Sequence, residues 1–407
     1  MKWPTKFYVE DITCAKLMRE RRKLLTSLLQ PFHSRINRIN WINRINRING
    51  LNESKEHFMK VKGLAALKAG GPLESFEFER RSPSATDVVF TITHAGICHS
   101  DIHQVREEWG PALFPMVPGH EIVGVVTEIG NSVSKFKIGD RIGVGVFIDS
   151  CRICEPCKSG LQQYCDEGMT GTYNGYERDG KTIAFGGYSN GFVIDQDYAV
   201  TIPSNLDMAG VAPLLCAGIT LYSPIKHFKV TKGSKVAVMG LGGLGHMGVK
   251  FAAAMGAEVT VLSHSANKKE DALRMGAQDF VVVRSDDDLK PLKRKFDLIL
   301  NTVSAMVDIN QYLATLKIDG TLVIIGLPDS PYAVSAGAML NGRKSLTGSM
   351  IGGMTELQEM LNFAGQHNIV SDIELINADY VEEAYRRTVA SDVKYRFVID
   401  ASTFATF

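Results

Sequence analysis

Between Met59 and about Met208, apolar and polar residues alternate over short runs that are interrupted by Gly and Pro, at Lys60–Leu67, Val88–Thr93, Ile122–Ile129, Arg141–Val146 and Val193–Ile194. A period of two sends successive side chains to opposite faces, so these runs predict half-buried strands of an antiparallel, partly barrel-like domain. From about Ala209 the pattern changes. Nearly continuous apolar runs (Val236–Met239, Val259–Leu262, Phe280–Val283, Leu298–Leu300, Leu322–Ile325) alternate with helical periodicity over Leu244–Met255 and near Lys269–Met275. Strands that are apolar on both faces and alternate with helices predict a parallel sheet covered on each side, an α/β arrangement. Beyond Ile351 the pattern predicts a helix over Thr355–His367 and a terminal strand over Tyr395–Ile399, expected to return to the first domain. The resulting division is an extension (1–58), a β-rich domain (59–208 with 350–407) and an α/β domain (209–349).

The extension stands apart. It contains a basic, helical-looking piece around Cys14 to Leu29 and then a run of R-I-N repeats from Arg35 to Asn49, whose period of three fits neither helix nor strand. It is expected to be disordered or to reflect a start mis-called upstream of Met59; a basic targeting arm is the alternative. By count it holds about seven excess positive charges of a chain whose net charge is +1, so the body is mildly acidic and is not expected to bind nucleic acid. With 45% hydrophobic and 22% charged residues the composition is that of a globular protein. No run of about 18 apolar residues occurs, so no membrane span is expected. Seven cysteines, four of them clustered, favour metal binding in a reducing, cytoplasmic compartment over a disulfide framework.

Cys151, Cys154, Cys157 and Cys165 are spaced C-x2-C-x2-C-x7-C. Short loops of this kind wrap one ion and the longer one closes a tetrahedron of thiolates, predicting a structural zinc whose shell is full. Spacing alone leaves iron open. The lobe is expected to staple a loop, with metal binding acting as folding free energy.

Val236–Met239 runs into G-L-G-G-L-G (Gly240, Leu241, Gly242, Gly243, Leu244, Gly245) and then into helical periodicity. In that strand-turn-helix setting, G-x-G-x-x-G predicts a dinucleotide pyrophosphate over a helix N-terminus. The next strand ends in Ser263, His264 and Ser265, with Lys268 and Lys269 following, and offers no carboxylate for a ribose 2′-hydroxyl. Hydroxyls and a lysine can hold a 2′-phosphate by charge-assisted hydrogen bonds, so NADP(H) is the expected coenzyme; a merely basic polar loop is the alternative.

G-I-C-H-S-D-I-H (Gly96–His103) and P-G-H-E (Pro118–Glu121) bring Cys98, Ser100, Asp101, His103, His120 and Glu121 into one stretch. Once the lobe has taken four cysteines and the extension Cys14, only Cys98 and Cys216 are left in the body. Cys98, His120 and Cys216 are therefore expected to hold a catalytic zinc with one position open, giving two zinc ions per chain. Buried apolar thiols and an ordinary capped histidine remain the alternative for any one of the three. Asp101 is expected to orient His120 by accepting its second ring N–H, Ser100 and His103 to pass a proton between substrate oxygen and solvent, and Glu121 to stand behind the metal or bind it transiently.

With these motifs in view, residues 59–407 resemble the zinc-dependent medium-chain alcohol dehydrogenases of the cinnamyl alcohol dehydrogenase group, near bacterial broad-range NADP(H) aldehyde reductases. The resemblance rests on GICHSDIHQV, PMVPGHEIVG, CRICEPCKSGLQQYC, APLLCAGITLYSP, GLGGLGHMGVK, GSMIGG and DVKYRFVID. It implies a GroES-like catalytic domain, a Rossmann cofactor domain and a homodimer joined through the latter. It further implies that Thr220 lies on the cofactor and that Gln104, Trp109, Met350 and Ile351 face the substrate. Gly171 stands where the plant enzymes carry a bulky aromatic, which points away from strict lignin-precursor specificity. The expected reaction interconverts aldehydes and primary alcohols with NADP(H), chiefly reducing a broad range of aliphatic and aromatic aldehydes, zinc meeting the charge that builds on the carbonyl oxygen. An NAD-linked polyol or secondary-alcohol dehydrogenase of the same fold is the alternative. A zinc-ribbon nucleic-acid-binding protein is the alternative of another class.

Overall fold

In the computed structural model, which describes residues 59–406, six parallel strands form one sheet. The extension expected over residues 1–58 lies outside the described residues. From edge to edge the strands run Asp279–Val282, Glu258–Ser263, Lys235–Met239, Phe296–Asn301, Leu316–Ile324 and Ser345–Gly348. Alternation along each strand supplies both faces: Val236 and Val238 belong to one buried cluster, Ala237 and Met239 to another. This is why these runs read as uniformly apolar. The chain builds outward from Lys235–Met239 in one direction, then crosses over to lay Phe296–Asn301 on its other side. The crevice at this switch, outside the carboxyl ends of the two strands, is where open α/β sheets bind ligands. Gly240 follows the first strand there and Thr302 the second, and the Thr302 hydroxyl donates to the Met239 carbonyl at 2.7 Å.

The second sheet has seven strands, in the order Val200–Thr201, Arg141–Val144, Ile122–Ile129, Asp87–Gly96, Arg396–Asp400 and Ile373–Ile376, with Gly191–Asp195 also pairing with Asp87–Gly96. The terminal strand lies antiparallel to Asp87–Gly96, Val398 opposite Gly96 and Asp400 opposite His94. The terminal strand is thereby fixed beside the start of the Gly96–Glu121 stretch. Met59–Ala66 pairs instead with Leu73–Arg80 in a two-stranded sheet, linked to the rest by single bridges at Gly63–Ser189 and Ala66–Met116. One buried cluster runs without a break from the antiparallel sheet (Phe90, Val123, Val398) to one face of the parallel sheet (Val238, Leu300).

Differences from the expected elements lie at their ends. Leu316–Ile324 begins six residues before the apolar run Leu322–Ile325, because Lys317 and Asp319 continue the strand with polar side chains in solvent. Arg141–Val144 stops two residues short of Val146. Among the described residues no single helix is long and apolar enough to cross a membrane.

Candidate active site

The strand Asp87–Gly96 ends at Gly96, and after Ile97 the chain turns into the short helix His99–Val105. Cys98 is its N-cap, held extended, and its backbone N–H donates to Asp101 Oδ2 at 2.8 Å. The carboxylate thus satisfies a helix-end donor as in a capping box. Ile102 and Val105 bury the inner face while His99 and His103, one turn apart, stack on the outer face with ring centroids 4.8 Å apart. Asp101 is fully buried. It also accepts the Gly119 N–H (3.2 Å) and the Tyr188 hydroxyl (3.1 Å), and its Oδ1 lies 3.1 Å from His120 Nδ1.

That last contact aims the other ring nitrogen inward. His120 Nε2 is buried without a hydrogen-bond partner, which is costly for a polar atom unless a ligand such as a metal ion meets it. The same holds for Glu121 Oε2. Cys216 closes the set: it follows the turn Ala212–Leu215, its carbonyl is the first acceptor of the helix Ala217–His227, and its Sγ lies 3.9 Å from Cys98 Sγ. Ligand atoms of Cys98, His120, Glu121 and Cys216, all buried, fall within 4.8 Å of one another. Sulfurs held tetrahedrally about 2.3 Å from a zinc ion would be ~3.8 Å apart, so this donor set fits that metal. The hydrogen bond from Cys216 holds the Cys98 thiol well below its ordinary range, with His120 contributing, so the cluster already favours a thiolate. Burial pushes the Glu121 carboxyl up to about 7 against the pull of Arg396, which ion-pairs with it.

The four clustered cysteines form a second set. Cys151 and Cys157 sulfurs are 3.9 Å apart, as are those of Cys154 and Cys165, and all are free thiols. Backbone N–H groups of Cys154 and Cys151 point at the sulfurs of Cys151 and Cys165, at 3.3 and 3.4 Å. The lobe also reaches the segment after the last parallel strand: the Met350 N–H donates to the Tyr164 hydroxyl at 3.3 Å and the Met354 N–H to Gln162 Oε1 at 3.2 Å. Its stapled loop therefore braces Met350, half exposed, and Ile351, buried.

In the glycine loop each glycine meets a different demand. Gly240 has φ +82°, and a Cβ on Gly245 would stand 2.0 Å from the Gly240 carbonyl oxygen. A Cβ on Gly242, by contrast, would meet nothing within 4 Å. The first and third glycines serve the turn and its packing, and the second borders open space where a pyrophosphate would approach the backbone. The residues therefore fit a dinucleotide. Ser263 is buried at its strand end, His264 and Ser265 hydrogen-bond each other at 2.7 Å, and Lys268 Nζ donates back to the Leu241 carbonyl of the loop at 3.0 Å. The Thr220 hydroxyl donates to the Cys216 carbonyl at 2.7 Å.

The remaining expected residues fall close by. Ser100 Oγ lies 3.5 Å from Cys98 Sγ. His103 Nδ1 is hydrogen-bonded to Glu108, and the Trp109 ring stacks on His103 at 4.6 Å. Gln104 is paired with Asn174. Sequence reasoning missed Arg396, whose guanidinium donates to the Ile97 carbonyl at 2.8 Å and to Glu121, while its Cδ would be 2.8 Å from a Cβ on Gly243. It therefore wedges the metal-site carboxylate against the glycine loop. Missed too were Tyr188 on Asp101, Glu108 on His103, and the buried His246, which joins the Gly242 carbonyl (3.1 Å) to the Ser371 hydroxyl (2.9 Å). DVKYRFVID marked Arg396, but nothing local in it announces a partner 275 residues away.

Two families match the chain: the alcohol dehydrogenase GroES-like domain over residues 84–204 and the zinc-binding dehydrogenase over residues 243–366. The NADP-dependent alcohol dehydrogenase C 1 of Mycolicibacterium smegmatis is 54% identical over 344 residues, covering 84% of this chain and 98% of the relative. A probable formaldehyde dehydrogenase of Bacillus subtilis is 50% identical over 348 residues, covering 86% and 99%. Among solved structures, a cinnamyl alcohol dehydrogenase from Sorghum bicolor superposes with a TM-score of 0.81 at 44% identity, covering 84% of this chain and 98% of that one. The cinnamyl alcohol dehydrogenase from Helicobacter pylori, complexed with NADP(H), gives 0.79 at 41% identity, covering 85% and 99%. The chain belongs to the zinc-dependent medium-chain alcohol dehydrogenases, in the cinnamyl alcohol dehydrogenase group. The GroES-like sheet and the Rossmann sheet are those expected.

The glycine geometry separates binding from folding. Gly242→Ala is expected to leave the unfolding free energy from urea titration unchanged within about 0.5 kcal/mol and to weaken NADPH binding at least about tenfold, read by fluorescence titration. Gly245→Ala is expected to lower stability by about 1–3 kcal/mol through overpacking. Wild-type NADPH affinity in Gly242→Ala would show that the loop does not face the cofactor.

Proposed function

We propose that this enzyme interconverts aldehydes and primary alcohols with NADP(H), chiefly reducing a broad range of aliphatic and aromatic aldehydes. The observation that carries the reading is the buried set Cys98, His120 and Cys216, with an unpartnered imidazole nitrogen facing the two sulfurs. These three residues would hold a zinc ion, Glu121 would stand beside it, and Cys151, Cys154, Cys157 and Cys165 would hold a second. When bound, the first ion supplies Lewis acidity toward the carbonyl oxygen and the reduced nicotinamide supplies hydride. Asp101 keeps Nδ1 of His120 engaged so that Nε2 points inward. Ser100, beside Cys98, delivers the proton to the oxygen as it becomes an alcohol, and His103, one turn on and anchored by Glu108, connects that hydroxyl to solvent. Gln104, Trp109, Met350 and Ile351 shape the substrate end, and their largely apolar character suits aliphatic and aromatic aldehydes.

Thr220, the loop Gly240–Gly245 and the cluster Ser263, His264, Ser265 and Lys268 would hold the cofactor. The lack of a carboxylate at the end of Glu258–Ser263 favours the 2′-phosphate, in keeping with the coenzyme in the relatives' names. Residues 59–208 with 350–407 would be the catalytic domain and 209–349 the cofactor domain, a division supported by the pairing of Arg396–Asp400 with Asp87–Gly96. A cytoplasmic location suits six free thiols among the described residues. Ser345–Gly348 is an edge strand of the parallel sheet, with Leu340 and Leu327 strongly exposed nearby, and two copies of the enzyme would pair there.

Catalytic efficiency should be higher with NADPH than with NADH, and Lys268→Gln should reduce that preference; a clear NADH preference would sink the reading of Ser263 and Lys268. In sedimentation velocity the enzyme should run as a dimer that Leu340→Glu weakens, whereas a monomer at micromolar concentration would remove the edge-strand interface.

A further inference from the structure

Lys250 and Arg274, on the helices Gly245–Ala254 and Lys269–Arg274, face the segment Val370–Asp372 and the residues just before the terminal strand. Lys250 Nζ donates to the Val370 carbonyl at 2.7 Å and pairs with Asp372 Oδ1 at 2.5 Å, while Arg274 takes Asp372 Oδ2 at 2.5 Å. In the other direction, Lys394 Nζ pairs with Asp271 Oδ2 at 2.9 Å, an oxygen that also accepts the Tyr395 hydroxyl at 3.0 Å. Lys268 completes the group. Its Nζ lies 6.0 Å from the centre of the Tyr395 ring, and its one hydrogen bond here is to the Leu241 carbonyl. These contacts gather four cations, Lys250, Lys268, Arg274 and Lys394, around two carboxylates, Asp271 and Asp372.

We propose that Lys394 is a second cation for the 2′-phosphate of NADP(H), reaching it from the terminal strand's side so that the phosphate completes an ionic cluster across the cofactor crevice. The proposal rests on the reading of Ser263 to Lys268 as the phosphate end of the site. The two positive charges in excess match the −1.5 to −2 of a phosphate monoester at neutral pH. Lys394 can turn to such an anion without stranding its partner: its side chain is 67% exposed, and Asp271 keeps Tyr395 and Arg274. Burial and then the charge on Lys394 lower the pKa of the Lys268 amine, and an anion between the two lysines would offset this by stabilising the ammonium. NADP(H), unlike NAD(H), would thereby add an ionic tie from Lys268 to Lys394, beside the existing contacts of Arg396 with the glycine loop and Glu121.

Calorimetric titration with adenosine 2′,5′-bisphosphate and with 5′-AMP tests this on the full chain. Lys394→Gln should lower the ratio of the two affinities about tenfold, the size of one lost charge-assisted hydrogen bond, and Lys394→Arg should restore it. The loss should shrink as salt is raised, since the contact is partly exposed. If Lys268→Gln lowers the ratio and Lys394→Gln does not, the proposal fails while the phosphate site stands. If neither changes it, the phosphate reading of Ser263 to Lys268 fails as well. Equal weakening of both ligands by Lys394→Gln would mark a structural role and overturn the proposal.

Discussion

The buried carboxylate of Asp101 is the constraint on which the metal site depends. It joins three segments by accepting the N–H of Cys98, the N–H of Gly119 and the hydroxyl of Tyr188, with His120 Nδ1 beside it. An isolated buried carboxylate would be strongly unfavourable. Surrounded by donors it becomes the rigid point that sets the distance between a thiol and an imidazole. The same carboxylate caps the helix that carries Ser100 and His103, so the candidate ligands and the residues proposed to move the proton share one origin. Removing it would leave several buried donors unpaired at once, and its role could not be separated from folding.

Arg396 extends this order to the second half of the site. It stands on the terminal strand, binds the Ile97 carbonyl one residue before Cys98, pairs with Glu121 and packs where a side chain on Gly243 would be. Hydride transfer requires its two reactants to be held in one reactive geometry, which the metal-site residues and the glycine loop would set from opposite sides. The strand order brings the last residues of the chain between the two. His246 and Ser371 add a second tie from the loop to the segment before Ile373–Ile376. The four-cysteine lobe braces Met350 and Met354 through Tyr164 and Gln162.

What could be read in the sequence was local. Four cysteines within fifteen residues announce their shared ion because short loops force them together, and G-L-G-G-L-G after an apolar run announces a strand-turn-helix because its glycines meet steric demands of the turn itself. Both sheets were legible in outline from period and composition, but Lys317 and Asp319 hide the start of one strand, and the short strands Val200–Thr201 and Ile373–Ile376 of the second sheet were not read. Cys216 was found by elimination among few cysteines. Tyr188, Arg396 and Ser371 were not legible, because each is an ordinary residue in its own neighbourhood and acquires its role from a partner 87 to 275 residues away. Glu108 was closer, five residues from His103, but a carboxylate after a helix is too common a pattern to single out.

The central claim is that Cys98, His120 and Cys216 hold one zinc ion and the clustered cysteines another. Zinc analysis of the purified protein and of Cys98→Ser, alongside circular dichroism and aldehyde reduction, tests it most directly. Two zinc ions per chain are expected in the wild type, and one in Cys98→Ser with the fold kept and activity lost. Two zinc ions and full activity in Cys98→Ser would contradict it.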